Sequence, residues 1–414
     1  MNKVLIIGSG GRCDAIATKL KESEHVDLIY CAPGNAGMAR HGINIPIKVD
    51  EIDKLVNFAK DENITLTIVG PEQSLSLGIV DAFLKEGLTI FGPTAKATLI
   101  ESSKSYAKSL MQKYGIPTAS YQVFSDYDEA LTYIKDQKLP IVLKYDGLAA
   151  GKGVIIAKTY EEAKRGLYEM LVDKKFGSAK VVIEEYLEGE EFSYMCFVNH
   201  DKVYSMIPAR DYKRVFDNDL GPNTGGMGAF TSLPFLTEAD LDYTYKEIMQ
   251  KTALALVKED RPFTGVLYGG LIKTKDGIKV IEFNARFGDP ETEVVLTALN
   301  SDLFVAIMDI LHNKTPELIW DTRPILGVVL TSIGYPGEYK KGLPLVIPNF
   351  DEGYVYHMGT KIKDGKVVTD GGRVLMVVAR GYSLEEARDS CYQMISLLDT
   401  TNLFYRQDIG LKFI

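Results

Sequence analysis

The feature that most constrains the fold is an alternation of short apolar strands with helical segments in the first hundred residues. The apolar run Val4–Ile7 ends at a glycine turn, a helical pattern follows, and Asp27–Cys31 is apolar again. Two further short strands are predicted at Leu66–Val69 and Thr89–Phe91. Strands that alternate with helices are typical of a doubly wound parallel sheet, so we expect an α/β domain over residues 1–100.

The rest of the chain divides into a long central region and a shorter tail. Between residues 101 and 322 helical stripes alternate with strands, and residues 120–188 have the pattern of a small α+β lobe. The tail, residues 323–414, consists mostly of strands and turns before a final helix. A chain of 414 residues is long enough for about two to four domains. We predict three, with residues 120–188 as a mobile lid lobe of the central one.

The composition argues against several classes of partner. Lys and Arg number 47 against 56 Asp and Glu, a net charge of −9 that disfavours nucleic acid and anionic membranes as main partners. The four cysteines are far apart and lack metal-ligand spacing, which fits a reducing compartment. The first residues show no signal-peptide pattern, and no stretch has the pattern of a membrane-spanning helix. We therefore expect a cytoplasmic protein.

The glycine turn after the first strand, Gly8-Ser9-Gly10-Gly11, opens a predicted helix. Free backbone N–H groups and the helix dipole favour an anion at such a place. A nicotinamide-cofactor fingerprint fails here, because Cys13 stands at its sixth position and no acid follows the second strand. Two interpretations remain open, a site for another phosphate-bearing ligand and a turn that only tightens packing.

A second glycine-rich segment, Lys144 to Val154, is predicted as a strand, a hairpin tip and another strand. The tip carries Gly151 and Lys152, which can fold over phosphates with backbone N–H donors and a cation. It is not a Walker A loop, because Gly153 stands where a Ser or Thr would hold magnesium and no helix follows. We favour phosphate binding over the alternative of an exposed lysine hairpin.

A pair of oxygen-bearing side chains lies late in the central region, in the strand Val280-Ile281-Glu282-Phe283-Asn284. Because strand side chains alternate, Val280, Glu282 and Asn284 are expected on one face, and Ile281 and Phe283 on the other. Glu282 and Asn284 would then lie about 6.6 Å apart along the strand. Hard oxygen ligands of this kind suit Mg²⁺ held partly by substrate phosphates. The alternative is the polar outer face of a half-exposed strand.

Other charged and glycine-rich segments accompany this pair. Arg286 and Asp289 follow it on a predicted turn and suit the recognition of a charged small substrate. The acidic stretch Glu184–Glu191 is either a solvated edge or a hinge that meets adenine and ribose. Asp211 and Lys213 precede Gly221–Gly228, which we predict to be a substrate-binding loop within a longer loop reaching Thr237.

Together these segments resemble the ATP-grasp ligases and, among them, the phosphoribosylamine–glycine ligase (glycinamide ribonucleotide synthetase) family. The resemblance runs along essentially the whole chain. It rests on a series of motifs in a fixed order: Gly8 to Arg12, Ala32 to Gly37, Val69 to Glu72, Phe91 to Thr94, Asp146 to Val154, Gly221 to Ala229, Val280 to Thr292, Gly334 to Gly337 and Gly371 to Val374.

The resemblance implies an α/β ATP-grasp ligase with an N-terminal doubly wound parallel-sheet domain, a central two-lobed ATP-grasp region and a small C-terminal α+β domain. It implies that ATP phosphorylates glycine and that 5-phosphoribosylamine attacks the acyl phosphate, in early purine synthesis. ATP is then a co-substrate and Mg²⁺ or Mn²⁺ the metal. The expected partners are these small molecules, without nucleic acid or membrane, and the expected assembly is a monomer or a homodimer.

The resemblance also assigns roles to individual residues. The ATP-binding set is Lys104, Lys144, Gly151, Lys152, Gly153, Glu184, Glu185, Tyr186, Leu187 and Glu191. The metal ligands are Glu282 and Asn284. The catalytic set is Lys152, Asp211, Lys213 and Arg286. The substrate-binding set is Gly10, Gly11, Asn35, Glu72, Gly225, Gly226, Arg286, Asp289, Lys361 and Arg373.

The sequence departs from the family pattern at three positions and on one strand. Cys13 and Asp14 stand where the family has Glu-His, and Tyr212 replaces a His. The strand Leu267–Leu271, which precedes the strand of Glu282 and Asn284, lacks the acid that many ATP-grasp folds carry there, so we expect metal coordination to depend on phosphates and water. Three alternative functions are kept: another ATP-grasp carboxylate–amine ligase, a nicotinamide-dependent oxidoreductase and a catalytically inactive nucleotide-binding regulator.

Overall fold

The computed structural model describes residues 1–149, 153–175, 177 and 180–414. Its first hundred residues form an all-parallel sheet with the strand order β3-β2-β1-β4-β5. The strands are β1 (Lys3–Gly8), β2 (Leu28–Pro33), β3 (Ile43–Asn44), β4 (Leu66–Val69) and β5 (Ile90–Phe91). The helices are α1 (Gly11–Lys21), α2 (Ile52–Asp61), α3 (Glu72–Ser76), α4 (Ile79–Lys85) and α5 (Ala95–Ser102), with a 3₁₀ turn at Met38–Arg40.

Strand β1 explains why this sheet is covered on both faces. Val4 and Ile6 pack into one hydrophobic cluster, while Leu5 and Ile7 pack into another. All four side chains are fully buried. A continuous apolar run of this kind is what a parallel strand inside an α/β domain requires. The doubly wound parallel sheet predicted from the sequence is therefore confirmed.

The small lobe is a four-stranded antiparallel sheet in the order β6-β9-β7-β8, preceded by helix α6 (Lys104–Tyr114). Its strands are β6 (Tyr121–Phe124), β7 (Ile141–Tyr145), β8 (Val154–Ala157) and β9 (Val181–Glu185). Helix α7 (Tyr127–Ile134) and helix α8 (Tyr160–Leu167), which continues as a π turn over Tyr168–Val172, cover one face. The lobe has its own hydrophobic cluster, so its interior is separate from the rest.

The central region is built on a large antiparallel sheet. Its strands are β10 (Glu190–Asn199), β11 (Lys202–Ser205), β12 (Ala209–Asp211), β15 (Gly228–Thr231), β16 (Thr264–Thr274) and β17 (Gly277–Asn284), with a separate ribbon of β13 (Arg214–Phe216) and β14 (Leu220–Asn223). The helices are α9 (Glu238–Tyr243), a π segment (Thr244–Gln250), α10 (Lys251–Lys258), α11 (Glu291–Thr297) and α12 (Leu303–Leu311).

The C-terminal strands continue the same sheet. The path runs β17-β16-β10-β12-β15-β18-β22-β19, and Ala229 of β15 lies opposite Gly327 of β18. The remaining elements are β18 (Ile325–Ser332), β19 (Tyr354–His357), β20 (Thr360–Lys363), β21 (Lys366–Thr369), β22 (Arg373–Arg380), α13 (Leu384–Ser396) and β23 (Leu403–Phe404). The tail is therefore joined to the central region edge to edge, by backbone hydrogen bonds.

The prediction that the chain is a loop from Leu220 to Thr237 is wrong. This stretch contains β14 and β15, and Ala229 and Phe230 are fully buried. The glycines give β15 the sequence pattern of a loop, although they are required there by close packing between strands. A Cβ at Gly228 would stand 2.7 Å from the carbonyl oxygen of Gly327. Glycine inside a strand often marks such a close approach of two backbones.

Candidate active site

The N-terminal sheet brings its glycine turn and Glu72 to one edge. The order of strands reverses between β1 and β4, and both carboxyl ends lie there, because Ile7 pairs in parallel with Val69. Open α/β sheets bind ligands in the crevice at such a switch point. Gly10 is the N-cap of α1 and Glu72 is the first residue of α3, so both follow these two strand ends directly.

Glu282 and Asn284 lie on one face of β17, but Val280 does not, so that part of the prediction is wrong. Glu282 pairs with Gly270, and Val280 pairs with the next residue, Leu271. Ile281 is therefore an extra residue in the ladder, a β-bulge, which reverses the alternation on its N-terminal side. Val280 consequently faces the hydrophobic core, in which it is fully buried.

Glu282 is available to a ligand. It is half-buried, and its carboxylate makes no hydrogen bond or ion pair within the described residues, while Asn284 Oδ1 accepts only from Arg286 Nη2, at 3.2 Å. Among those residues no group of three or more His, Cys, Asp or Glu is arranged to hold a metal. Two protein oxygens fit a divalent cation that takes its other ligands from phosphates and water.

Arg286 lies at the centre of a buried ion network. Its Nε is 3.1 Å from Glu72 Oε2, and its Nη2 is 3.0 Å from Glu101 Oε1. Burial alone would raise the pKa of Glu72, but the guanidinium groups of Arg286 and Arg12 hold that pKa below its ordinary value. Burial raises the pKa of Glu101 in spite of Arg286. Arg286 therefore connects the N-terminal sheet to the end of β17.

Asp289 is held by two arginines beside the glycine turn. Arg373 Nη1 is 2.9 Å from Asp289 Oδ1, and the Arg12 backbone N–H donates to Asp289 Oδ2 at 3.3 Å. Burial alone would raise the pKa of Asp289, but these two guanidiniums keep it below its ordinary value. Arg373 also donates to the Gly225 carbonyl oxygen at 2.8 Å. A Cβ at Gly226 would overlap Pro290, so the glycine loop fits closely over this turn.

Asp211 and Lys213 form an ion group with Glu191. Lys213 Nζ lies 2.8 Å from Asp211 Oδ1 and 3.3 Å from Glu191 Oε2. Behind them Glu291 is buried, and its Oε1 accepts from Tyr268 Oη at 2.7 Å and from Ser193 Oγ at 2.9 Å. Burial and the nearby Asp211 raise the pKa of Glu291.

The lysines assigned to phosphates differ in their surroundings. Lys144 Nζ is buried and pairs at 3.0 Å with Glu184, which also pairs at 2.9 Å with Lys108. Lys144 Nζ donates in addition to the Ile281 carbonyl oxygen at 2.9 Å, at the bulge that precedes Glu282. Lys104 Nζ donates to the Gly147 carbonyl oxygen at the base of the hairpin tip. Lys144 is therefore near β17, the strand that carries the predicted metal ligands, and Lys104 is near the base of the predicted hairpin tip.

The expected hinge follows β9. Glu185 Oε1 accepts from the Ser120 backbone N–H at 2.9 Å, Tyr186 is exposed, and Leu187 is partly exposed. Gly153 is buried under Tyr145 and Ala149. The roles predicted for the other two tip residues concern positions outside the described residues, namely Gly151 and Lys152.

Asn35 and Lys361 are engaged within the protein. The Asn35 side chain donates to the carbonyl oxygens of Ser9 and His357, and its Oδ1 accepts from the Gly37 and Met38 N–H groups. We infer that Asn35 positions the glycine turn. The Lys361 ammonium pairs at 2.9 Å with Asp370, and about half of its side chain is exposed.

The three departures from the family pattern occupy well-packed places. Cys13 is buried against Gly8 and Gly70, and burial raises the pKa of its thiol to about 12, so it is unreactive at neutral pH. The Tyr212 side chain is uncharged. Its Oη accepts from the Gly410 N–H at 3.0 Å, and the Arg406 guanidinium lies over its ring. Tyr212 therefore anchors the chain end to the strand that precedes Lys213.

Asp14 joins helix α1 to the C-terminal strands. Its Oδ2 accepts from the His357 backbone N–H at 2.7 Å and from Arg40 Nη2 at 3.2 Å, whereas Oδ1 lacks a hydrogen bond within the described residues. Burial is the main reason that the pKa of Asp14 rises to about 6, although Arg40 and the His357 N–H oppose it.

Asp14→Asn is expected to remove a pH-dependent loss of stability. Below about pH 4 the neutral acid costs little, and as pH rises through about 6 the buried carboxylate forms and stability is lost. At 1.36 kcal/mol per pH unit, the variant should gain about 2 kcal/mol relative to wild type between pH 4 and pH 7. The neighbouring His357, whose pKa is lowered to about 3, stays neutral in this window, and His41, whose pKa is lowered to about 4, is protonated only at its lower end. Urea unfolding at both pH values measures the difference, and parallel losses in variant and wild type would contradict it.

Sequence reasoning missed several residues of this site. They are Arg12, Glu101, Lys108, Ser193, Tyr268, Glu291 and Glu293. Arg12 and Glu291 belong to motifs that the sequence already singled out, which was a usable signal. The other five residues have no such signal in the sequence, because their place in the site depends on which helices and strands pack together.

The antiparallel lobe, the large sheet and the lysines between them define an ATP-grasp ligase, an enzyme that uses ATP and a divalent metal. The sequence matches three profiles of phosphoribosylglycinamide synthetase: the N domain over residues 2–101, the ATP-grasp (A) domain over 102–292 and the C domain over 325–412. The chain belongs to the phosphoribosylglycinamide synthetase family.

Relatives match over the full length. The chain is 52% identical to phosphoribosylamine–glycine ligase of Halalkalibacterium halodurans, with 99% of this chain and 97% of that protein covered. It is 48% identical to the enzyme of the same name from Streptococcus pneumoniae, with both chains covered completely. A crystal structure of phosphoribosylamine–glycine ligase from Thermotoga maritima is 35% identical, with a TM-score of 0.87 and coverage of 98% and 100%.

More distant structures share the fold alone. The biotin carboxylase domain of Hydrogenobacter thermophilus 2-oxoglutarate carboxylase, solved with MgADP, is 16% identical with a TM-score of 0.74. The match covers 97% of this chain and 91% of that one. Among the described residues no helix has the length and apolarity needed to cross a membrane.

Proposed function

We propose that this chain joins glycine to 5-phosphoribosylamine with ATP, through glycyl phosphate, in purine synthesis. One observation carries the proposal. The fold brings together a carboxylate on β17 that has no partner within the described residues (Glu282), a half-buried guanidinium (Arg286) and an ionised acid beside an N-terminal glycine turn (Asp289): Arg286 contacts Asn284 on the same face as Glu282, and its charge acts on Asp289. These are the groups that a cation–triphosphate pair, an amino-acid carboxylate and an amine require.

The first step forms the acyl phosphate. A glycine carboxylate oxygen attacks the γ-phosphorus of ATP, the bond to the β–γ bridging oxygen breaks, and ADP leaves. Within the described residues the one hydrogen bond of Arg286 Nη1 is to the Phe287 carbonyl oxygen, at 3.3 Å, so we assign this nitrogen to the glycine carboxylate. Lys104 and Lys144 neutralise phosphate charge. Positioning and charge neutralisation of this kind supply the catalysis in phosphoryl transfer.

The second step forms the amide. The nitrogen of 5-phosphoribosylamine attacks the glycyl carbonyl carbon, the bond to phosphate breaks, and the ammonium proton passes to the departing phosphate. We assign Asp289 to the amine, Glu72 to the ribose and Arg373 to the 5′-phosphate, because all three lie around the N-terminal turn of α1. Asp211 and Lys213 flank the carbonyl from the central sheet.

We propose Mg²⁺, with Mn²⁺ as a substitute, as the cation held by Glu282 and Asn284. A bound cation of this kind would neutralise the phosphate oxygens. The support is that, in the part of the chain that the structure describes, the Glu282 carboxylate has no partner and few protein oxygens lie beside it, which leaves room for phosphate and water ligands.

We further propose that residues 120–188 close over ATP as a lid, that 1–100, 101–322 and 323–414 are the functional domains, and that the protein works in the cytoplasm. The lid proposal is supported by the separate core of the lobe. Four buried, unpaired cysteines fit a reducing compartment. A monomer or a homodimer stays a prediction.

ADP release that depends on glycine tests the proposed function. Purified protein with MgATP and fresh 5-phosphoribosylamine should release ADP only when glycine is present. L-Alanine in place of glycine, and ribose 5-phosphate in place of the amine, are the matched controls and should give little ADP. Release that is independent of glycine would contradict the proposal, and faster release with another acid would indicate a different carboxylate–amine ligase.

A further inference from the structure

Glu293 is a buried acid that the proposed mechanism does not use. It lies in α11, its side chain is fully buried, and neither carboxylate oxygen has a hydrogen-bond partner within the described part of the chain. Leaving a buried polar group unpaired is costly, and the cost is greatest for a charged one. An acid in this state needs a reason.

The carboxyl group is aimed at the first turn of α1. A Cβ placed on Gly11 would overlap Glu293 Oε1 and would also lie 3.0 Å from Met358. A Cβ on Gly10, the N-cap, would lie 3.3 Å from Asp289 Oδ2. Two acids four residues apart in the chain, Asp289 just before α11 and Glu293 within it, therefore flank the N-terminus of an eleven-residue helix, the end that favours negative charge.

The two acids differ in charge. Asp289 has Arg12 and Arg373 beside it and stays ionised. Glu293 has no such contact, and burial together with the Asp289 charge raises its pKa well above the ordinary value, with Arg373 and Arg12 opposing this. With Glu293 neutral, the two arginines and Asp289 leave one net positive charge at the turn. Ionisation of Glu293 would cancel it.

We propose that Glu293 is a positioning residue for the sugar-phosphate substrate: as a neutral acid beneath the Gly10–Gly11 turn it leaves the positive end of α1 to the substrate, and its ionisation weakens binding. The inference rests on the proposed function, because it takes the ligand at this turn to be a phosphorylated sugar amine. One unit charge within about 10 Å of a phosphate changes affinity by roughly tenfold at an effective dielectric constant near 20.

The test compares wild type with Glu293→Gln, which keeps the shape and cannot ionise. As pH is raised over the range in which both proteins stay folded, the KM for 5-phosphoribosylamine should rise up to about tenfold more in wild type than in the variant, with kcat similar in both. Glu385→Gln, an exposed acid on α13, is the matched control and should follow wild type. Parallel KM profiles, or a variant whose KM is raised equally at every pH, would overturn the inference.

A second measurement separates this inference from the proposed function. Calorimetric binding of ribose 5-phosphate, a stable probe without the amine, should show the same pH contrast between the two proteins. If that contrast holds while ADP release ignores glycine, the proposed function fails and the role of Glu293 stands. If ribose 5-phosphate does not bind wild type at pH 6, or binds both proteins with one pH profile, the role of Glu293 is refuted.

Discussion

Arg286→Met is expected to lower the free energy of unfolding by about 3–5 kcal/mol and to reduce turnover by at least about 10²-fold. The stability loss follows from the partners that the guanidinium leaves behind. Glu101 is buried, its Oε1 lies 3.0 Å from Arg286 Nη2, and its other oxygen accepts from the Ala285 N–H. Without Arg286, Glu101 stays buried but has lost its counter-charge. Leaving one charge of a buried ion pair uncompensated is strongly destabilising.

A double variant separates the structural effect from the catalytic one. Arg286→Met combined with Glu101→Gln should recover most of the lost stability, because no unpaired charge remains, while turnover stays low. Arg323→Met is the matched control, since that arginine is 39% exposed and its partner Asp321 keeps a second cation, Arg380, at 3.2 Å; it should cost about 1 kcal/mol or less. Urea unfolding and ADP release measure the two effects. A double variant with wild-type turnover would refute the assignment of Arg286 to the glycine carboxylate.

Glu282→Ala is expected to reduce turnover by about 10²–10³-fold, with little change in stability. The carboxylate has no partner within the described residues, so its removal breaks no contact there, and the loss falls on the bound cation and phosphates. Glu282→Gln should require a higher Mg²⁺ concentration for half-maximal rate, because a neutral ligand binds the cation less strongly.

The control for Glu282 lies in the same hairpin. Asp276 is an exposed acid in the turn between β16 and β17, and Asp276→Ala should leave both the rate and its Mg²⁺ dependence unchanged. Magnesium titration of ADP release at saturating ATP gives both quantities. Near-wild-type turnover in Glu282→Ala would show that the cation is held elsewhere.

Much of the fold could be predicted from the sequence because it depends on local patterns. Strand β4 begins and ends where the apolar run Leu66–Val69 indicated. Ser103, Asp126 and Thr159 are residue types that favour a helix N-cap, and each accepts from the backbone N–H three residues on. Thr159 and Glu162 have the spacing of a capping box, but Glu162 accepts from the Lys158 N–H, one residue before the cap.

The rest depends on non-local packing. A single extra residue, Ile281, changes which side chains of β17 share a face. The sequence Val280–Asn284 contains no pattern that predicts a bulge. Arg286 meets Glu72 across 214 residues of chain, so no spacing rule could pair them. The family resemblance supplied roles for Glu282 and Arg286, but only the packed structure shows that Glu282 has no partner among the described residues and that Arg286 has two acidic ones.

The pairing of β15 with β18 limits how this chain can be divided. A fragment ending near residue 322 would lose the partner of Gly228–Thr231 and uncover backbone groups beside fully buried Ala229 and Phe230. Open, apolar sheet edges recruit further chains and promote aggregation. Shortened versions for crystallisation or biosensor design should therefore retain the tail.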